Sequence, residues 1–222
     1  MSYSNISYAS TSLARDYVTA NWAQSDRFLK KHIFARGAFL VLAPCSFITS
    51  AVDIMVGLGV GIGAICSFGT NYRLVKVTFN YLSSSNKIVL RPYVNILSAI
   101  KLEDTFPQNM RVLSPHGDGF LSNIPSEYLK SKARECYDSR NLLKRHLISR
   151  LTYILLAIVC LITRVIDGII SIPAAGFSIL SGGEFGLLNN LAYRTLQAPG
   201  IINDLFYCTL KFINPWARTQ IV

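Results

Sequence analysis

Asp53, Arg164 and Asp167 are the residues best placed to do chemistry, because they are the only charged residues in two long apolar runs, where an ionised group is costly. Such groups pair with one another, carry ions or protons, or hold helices together. Two acids and one base allow Arg164 to bridge Asp167 to Asp53 if the two runs face each other, as a structural clamp or as part of a transport site. Ser46, Thr49, Ser50 and Asp53 fall at i, i+3, i+4 and i+7, and Cys160, Thr163, Arg164 and Asp167 repeat that spacing, so each set lines one helix face. The buried polar cluster expected from this pattern is Asp53, Arg164, Asp167, Thr49 and Thr163. The same faces continue through Gly57 and Gly61, and through Ser171 and Ala175, small residues four apart that let another helix approach closely.

Other motifs carry less chemistry. Ser114-Pro115-His116-Gly117-Asp118-Gly119 resembles the oxyanion loop of lipases and esterases, but no GxSxG nucleophile elbow occurs and His146 is the last histidine. A turn built by Pro, Gly and Asp accounts for the same residues. Gly59, Gly61 and Gly63 fit a loose dinucleotide fingerprint without its strand or its later acid. His32 and His146 lack ligand partners at metal spacing, and five cysteines without a CxxC pair argue against zinc or a disulfide framework. The expectation is therefore no catalytic residue, no cofactor, no metal and no enzyme.

What must position the ionisable groups are two apolar blocks, 37–69 and 151–183, related by an offset of 114 residues. Between 29 and 82 the offset gives 14 identities in 54 positions, among them Lys30, His32, Arg36, Asp53 and Gly69 with Lys144, His146, Arg150, Asp167 and Gly183. That agreement predicts an all-α chain of two tandem helical repeats. Each repeat is an apolar helical hairpin or a long bent helix, followed by amphipathic helices such as RLVKVTFNYL and LLNNLAYRTL. A straight 33-residue helix would be about 50 Å long against about 30 Å of hydrocarbon, and would hold each Asp near mid-bilayer at about 2.5–3.5 kcal/mol. A hairpin turning at Asp53-Ile54 and Asp167-Gly168 relieves both problems and leaves the basic flanks Lys30, Lys31, Arg36 and Lys144, Arg145, Arg150 on one side. Unbroken periodicity through each Asp favours the long helix, so both shapes stand.

The resulting division is a Ser-rich disordered leader at 1–24, repeat 1 at 25–103, a polar linker with the start of a helix at 104–138, and repeat 2 at 139–218. Charged residues make up 15% of the chain, below the globular norm of about 25%, which points to a bilayer as the sink for apolar surface. The net charge of +10 sits in the flanks of the apolar blocks rather than among exposed aromatics, favouring a membrane surface over nucleic acid.

The Ser-rich start resembles an uncleaved type III secretion leader. With the paired apolar blocks, and with RVIDGIISIPAAGFSILSGGEFGLLNN followed by GIINDLFYCTLKFINPWA, the chain resembles the inclusion-membrane and hydrophobic-repeat proteins of chlamydiae. That resemblance implies secretion into a host or inclusion membrane and transfers no functional residue. The function expected is a non-enzymatic membrane scaffold that exposes 1–24 and 104–138 to a protein partner or shapes the bilayer. The alternatives are a soluble or peripheral cytoplasmic helical protein with its repeats packed together, and a minimal transporter or channel.

Overall fold

The computed structural model describes residue 6, residues 8–102, residue 121 and residues 123–217. The described residues are all-α and contain no strand. α1 (Leu13–Val18) lies between π-helical turns at Tyr8–Ser12 and Thr19–Ala23; α2 (Arg36–Cys66) follows a π-helical turn at Lys30–Ala35. α3 (Tyr72–Leu82), a 3₁₀ turn at Ser83–Lys87 and α4 (Leu90–Lys101) complete the first half. The second half comprises α5 (Asn123–Asp138), a π-helical turn at Lys144–Ile148, α6 (Ser149–Leu180), α7 (Gly186–Thr195), a 3₁₀ turn at Ala198–Gly200 and α8 (Ile201–Ile213).

α2 and α6 are single helices of 31 and 32 residues. Both end in left-handed backbone, at Phe68 and Gly69 in one and at Gly182 and Gly183 in the other. There Gly69 N–H donates to Ala64 O at 3.0 Å, and Gly183 N–H to Ser178 O at 2.7 Å, the bond pattern that satisfies terminal carbonyls. After the first break, Asn71 Oδ1 accepts from Leu74 N–H and starts α3.

From that break the chain runs back along α2. A Cβ on Gly63 would lie 3.8 Å from Leu74, one on Gly61 3.2 Å from Thr78, and one on Gly57 2.9 Å from Leu82. Ser84 then reaches Asp53, and Asn95 reaches Ser46. α3 and α4 thus form one helix broken at the 3₁₀ turn and antiparallel to α2. α7 and α8 do the same along α6: Ser178 faces Asn189, Gly168 faces Ala198, and Arg164 meets Asp204.

Each broken helix also packs on the other half. Tyr93 of α4 donates to Ser178 near the end of α6, and its ring meets Tyr193 edge-on. In return Phe206 of α8 covers Gly61 near the end of α2, while Tyr207 meets Tyr153 near the start of α6. α4 therefore joins the first part of α2 to the last part of α6, and α8 joins the opposite ends. The long helices run in opposite directions.

Three expectations are corrected by this arrangement. No hairpin turn occurs at Asp53 or Asp167, because each carboxylate finds its hydrogen bonds inside the protein and has no need to reach water. Lys30, Lys31 and Arg36 lie at the opposite end of the molecule from Lys144, Arg145 and Arg150, because the long helices are antiparallel. Part of the leader read as disordered is helical, from Tyr8 to Ala23, with Val18 and Ala23 buried against Ala35 and Phe39. It occupies before α2 the place that α5 occupies before α6.

Candidate functional site: a buried charged centre under apolar faces

Asp53 and Asp167 are fully buried and perform matching tasks. Asp53 accepts from the Ile6 N–H at 3.0 Å and from the Ser84 hydroxyl at 3.0 Å. Asp167 accepts from the Leu121 N–H at 3.0 Å. Leu121 lies just ahead of α5, where N–H groups have no intrahelical partner and a carboxylate is stabilising, whereas Ile6 is itself helical. Each Asp thus ties down the segment that precedes its own long helix.

The two 3₁₀ turns meet between these positions. Gly200 lies so close to the Asn86 side chain that any Cβ there would displace it. Arg164 Nε and Nη2 both donate to Asp204 Oδ2 at 3.0 Å, and Nη1 donates to Gln197 O at 3.2 Å. The expected bridge from Arg164 across to Asp53 is not what these contacts form: the acid engaged is Asp204 on α8, which is sequence-distant and was not among the expected site residues. Burial pushes the Asp204 carboxyl above its ordinary value, against the opposing pull of Arg164 and Lys130. Arg91, the second residue of α4, is lowered from 12.5 to about 10 by burial, with Asp53 acting in the other direction.

Lys87 is lowered from 10.5 to about 8 by burial and then by Arg91. Lys211 is also lowered to about 8, by burial and Arg134. An unfolded lysine keeps its proton to about 10.5, so between pH 8 and 10.5 the unfolded chain binds more protons and folded stability rises with pH. For Lys87 the full drop corresponds to about 3 kcal/mol. Thermal unfolding in detergent is expected to shift upward between pH 7.5 and 9.5, and Lys87→Met to remove roughly half of that rise, the rest belonging to Lys211. An unchanged slope in Lys87→Met would count against the burial of this ammonium.

Most of the other expected residues lie along the same inner faces. Thr49 and Thr163 are half-buried and donate to the carbonyls of Cys45 and Val159 on their own helices. Gly57 and Gly61 receive α3, with α8 also reaching Gly61. Ser171 is buried and donates to Gly168 O, and Ala175 packs on the core shared by α4 and α7. In the basic flanks Lys30, Arg36 and Lys144 are exposed, while Lys31, Arg145 and Arg150 are half-buried. His32 stacks near Phe28, and all five cysteines are free. Residues 114–119, with the SPHGDG motif, lie outside the described residues. Of the missed members of the centre, Ser84 and Arg91 lie between the amphipathic stretch at 73–82 and the apolar segment beyond Pro92, and Asp204 lies in the apolar segment beyond Gly200. Asp204 had a signal, an acid inside the apolar run IINDLFYCTLKFI.

The outer faces of α2 and α6 are the reverse of the inner ones. On α2, Leu40, Val41, Phe47, Ile48, Met55 and Ile62 are exposed; on α6, Leu155, Ile158, Ile162, Val165, Ile169 and Ile172 are exposed. Extended through Lys30–Cys66 and Lys144–Leu180, both helices are long and apolar enough to cross a membrane. In their apolar windows 33% and 28% of residues are buried. No protein family, curated protein or solved structure matches the chain.

Proposed function

We propose that the chain is a non-enzymatic membrane protein, built from two copies of one four-helix unit, whose outer apolar faces contact lipid. One observation carries the reading: along both long helices the buried face holds Ser46, Ser50, Asp53, Arg164, Asp167 and Ser171, while the exposed face is aliphatic and aromatic. That polarity suits a solvent of hydrocarbon. The exposed stretch of α2 from Leu40 to Ile62 would span about 33 Å, close to the hydrocarbon thickness of a bilayer. The two tryptophans support the same orientation. Trp22 packs by Phe34 at the start of the first long helix, and Trp216 by Tyr137 and Arg145 at the start of the second. Because those starts lie at opposite ends, each membrane surface receives one aromatic and basic cluster.

As a scaffold the molecule would hold two antiparallel spans at a fixed separation, with a protein partner bound through 1–24 or 104–138. The resemblance to inclusion-membrane proteins implies a host or inclusion membrane as that bilayer. Sodium carbonate extraction of membranes carrying the full chain tests the reading. The protein is expected in the pellet; complete release into the supernatant would favour the soluble or peripheral alternative, which already accounts for the packing of the two halves.

A second reading, a minimal transporter, draws on the broken helices α3–α4 and α7–α8. They run in opposite directions and interrupt beside buried charges, an arrangement that bilayer transporters use to form midplane sites.

A further inference from the structure

α1 and the π-helical turn after it pack on α2 and the turn before it through Val18, Ala23, Ala35 and Phe39, and beside that contact the helices part. The opening is a groove of about 700 Å³, lined by Tyr17, Trp22, Phe34, Ala38, Val41 and Leu42 among others, and almost wholly apolar. Phe34, Gly37, Ala38 and Val41 share one face of the helix, and Lys30 lies on that face one turn earlier, with Lys31 beside it. Lys30 is exposed and Lys31 half-buried, and neither has an ion-pair partner among the described residues.

Among the described residues the second half does not repeat this opening. α5 lies close on α6: Ala133 and Ser149 are fully buried and the Ser149 hydroxyl donates to Ala133 O at 3.2 Å. Its flank is also engaged, since Arg145 stacks 4.9 Å from the Trp216 ring centre and 5.4 Å from that of Tyr137. Among the described residues, one end of the molecule therefore offers an apolar groove with unspent positive charge at its mouth, while at the other end α5 closes onto α6.

We propose that this groove holds an acyl chain of an anionic phospholipid whose phosphate is met by Lys30 and Lys31. The proposal rests on the membrane reading and adds a lipid class and a site to it. An apolar lining takes the chain, and charge complementarity selects the headgroup.

Trp22 provides a local reporter. The full chain with Trp216→Phe, in detergent micelles, is titrated with brominated phosphatidylglycerol or brominated phosphatidylcholine, and Trp22 fluorescence is followed. Phosphatidylglycerol is expected to quench Trp22 at about tenfold lower mole fraction than phosphatidylcholine. Lys30→Gln with Lys31→Gln should bring the two lipids together. Gly37→Phe should leave Trp22 protected from both; no atom lies within 4 Å of a Cβ at Gly37, so the ring enters open space. A companion chain with Trp22→Phe, reporting from Trp216, should show no preference.

Equal quenching by both lipids, full quenching in Gly37→Phe, or the same preference at Trp216 would each overturn the groove while leaving the membrane reading intact. If neither lipid quenches either tryptophan, the membrane reading fails and the groove with it.

Discussion

Asp204→Leu is expected to destabilise the folded chain by about 3–5 kcal/mol, the cost of removing one partner of a buried ion pair. The substitution leaves Arg164, 2% exposed, without the carboxylate that both its Nε and Nη2 address. A guanidinium cannot escape by losing its proton. Arg164→Met is expected to cost less, because Asp204 can take up a proton and burial already pushes its carboxyl in that direction. Its penalty should shrink further as pH falls, whereas that of Asp204→Leu should not. The double substitution Arg164→Met with Asp204→Leu should recover most of the loss, since apolar replacements of similar volume often match a buried ion pair. Chemical unfolding of the four proteins in detergent closes the cycle. A neutral Asp204→Leu would show that the pair does not clamp α6 to α8. The double variant also separates the two functional readings: a scaffold keeps its behaviour when the clamp is rebuilt from apolar groups, whereas a transporter would stay folded and lose flux in liposomes.

Placing aspartate at both Ile162 and Val165 is the second large effect. Both side chains are about half exposed on the outer face of α6 and contribute little to the core. In water such exposed substitutions change stability by about 0.5 kcal/mol or less. Facing hydrocarbon, each aspartate near the middle of a span costs about 2.5–3.5 kcal/mol of insertion. The double variant should therefore disappear from the carbonate-resistant pellet and accumulate as aggregated or degraded protein. Thr163→Asp, directed toward the half-buried side, tests whether the face rather than the added charge decides. Normal expression and a soluble, folded double variant would mean that the outer face of α6 meets water.

Much of the fold was legible because it depends on periodicity and composition. The apolar runs, the glycine breaks after them and the amphipathic pattern of RLVKVTFNYL predict long helices followed by short ones, which is what α2–α3 and α6–α7 are. Leu and Ile at helical spacing carry that information locally. The inner stripe from Ser46 to Asp53 was legible for the same reason, and its members are buried or half-buried on one face of an unbroken helix.

That the helices would run unbroken through each Asp was not legible, because the hairpin alternative assumed that Asp53 and Asp167 would meet lipid unless the chain turned. The cost of a charge depends on what surrounds it, and what surrounds these two comes from remote segments: the Ile6 and Leu121 amides and the Ser84 hydroxyl. The leader was misread on similar grounds. Serine-rich composition argues against a self-sufficient helix, but Val18 and Ala23 gain cover from Ala35 and Phe39.

The sequence alone therefore determined that this protein is all-α, that its two apolar blocks share one layout, and that charge inside them had to be buried. Only the tertiary structure decided which groups share that burial, and that the long helices run in opposite directions with their apolar faces outward. Helical periodicity is a property of neighbours along the chain. The partners of a buried carboxylate, and the direction in which one half lies on the other, are set by contacts between residues about 30 to 100 positions apart, which no local pattern encodes.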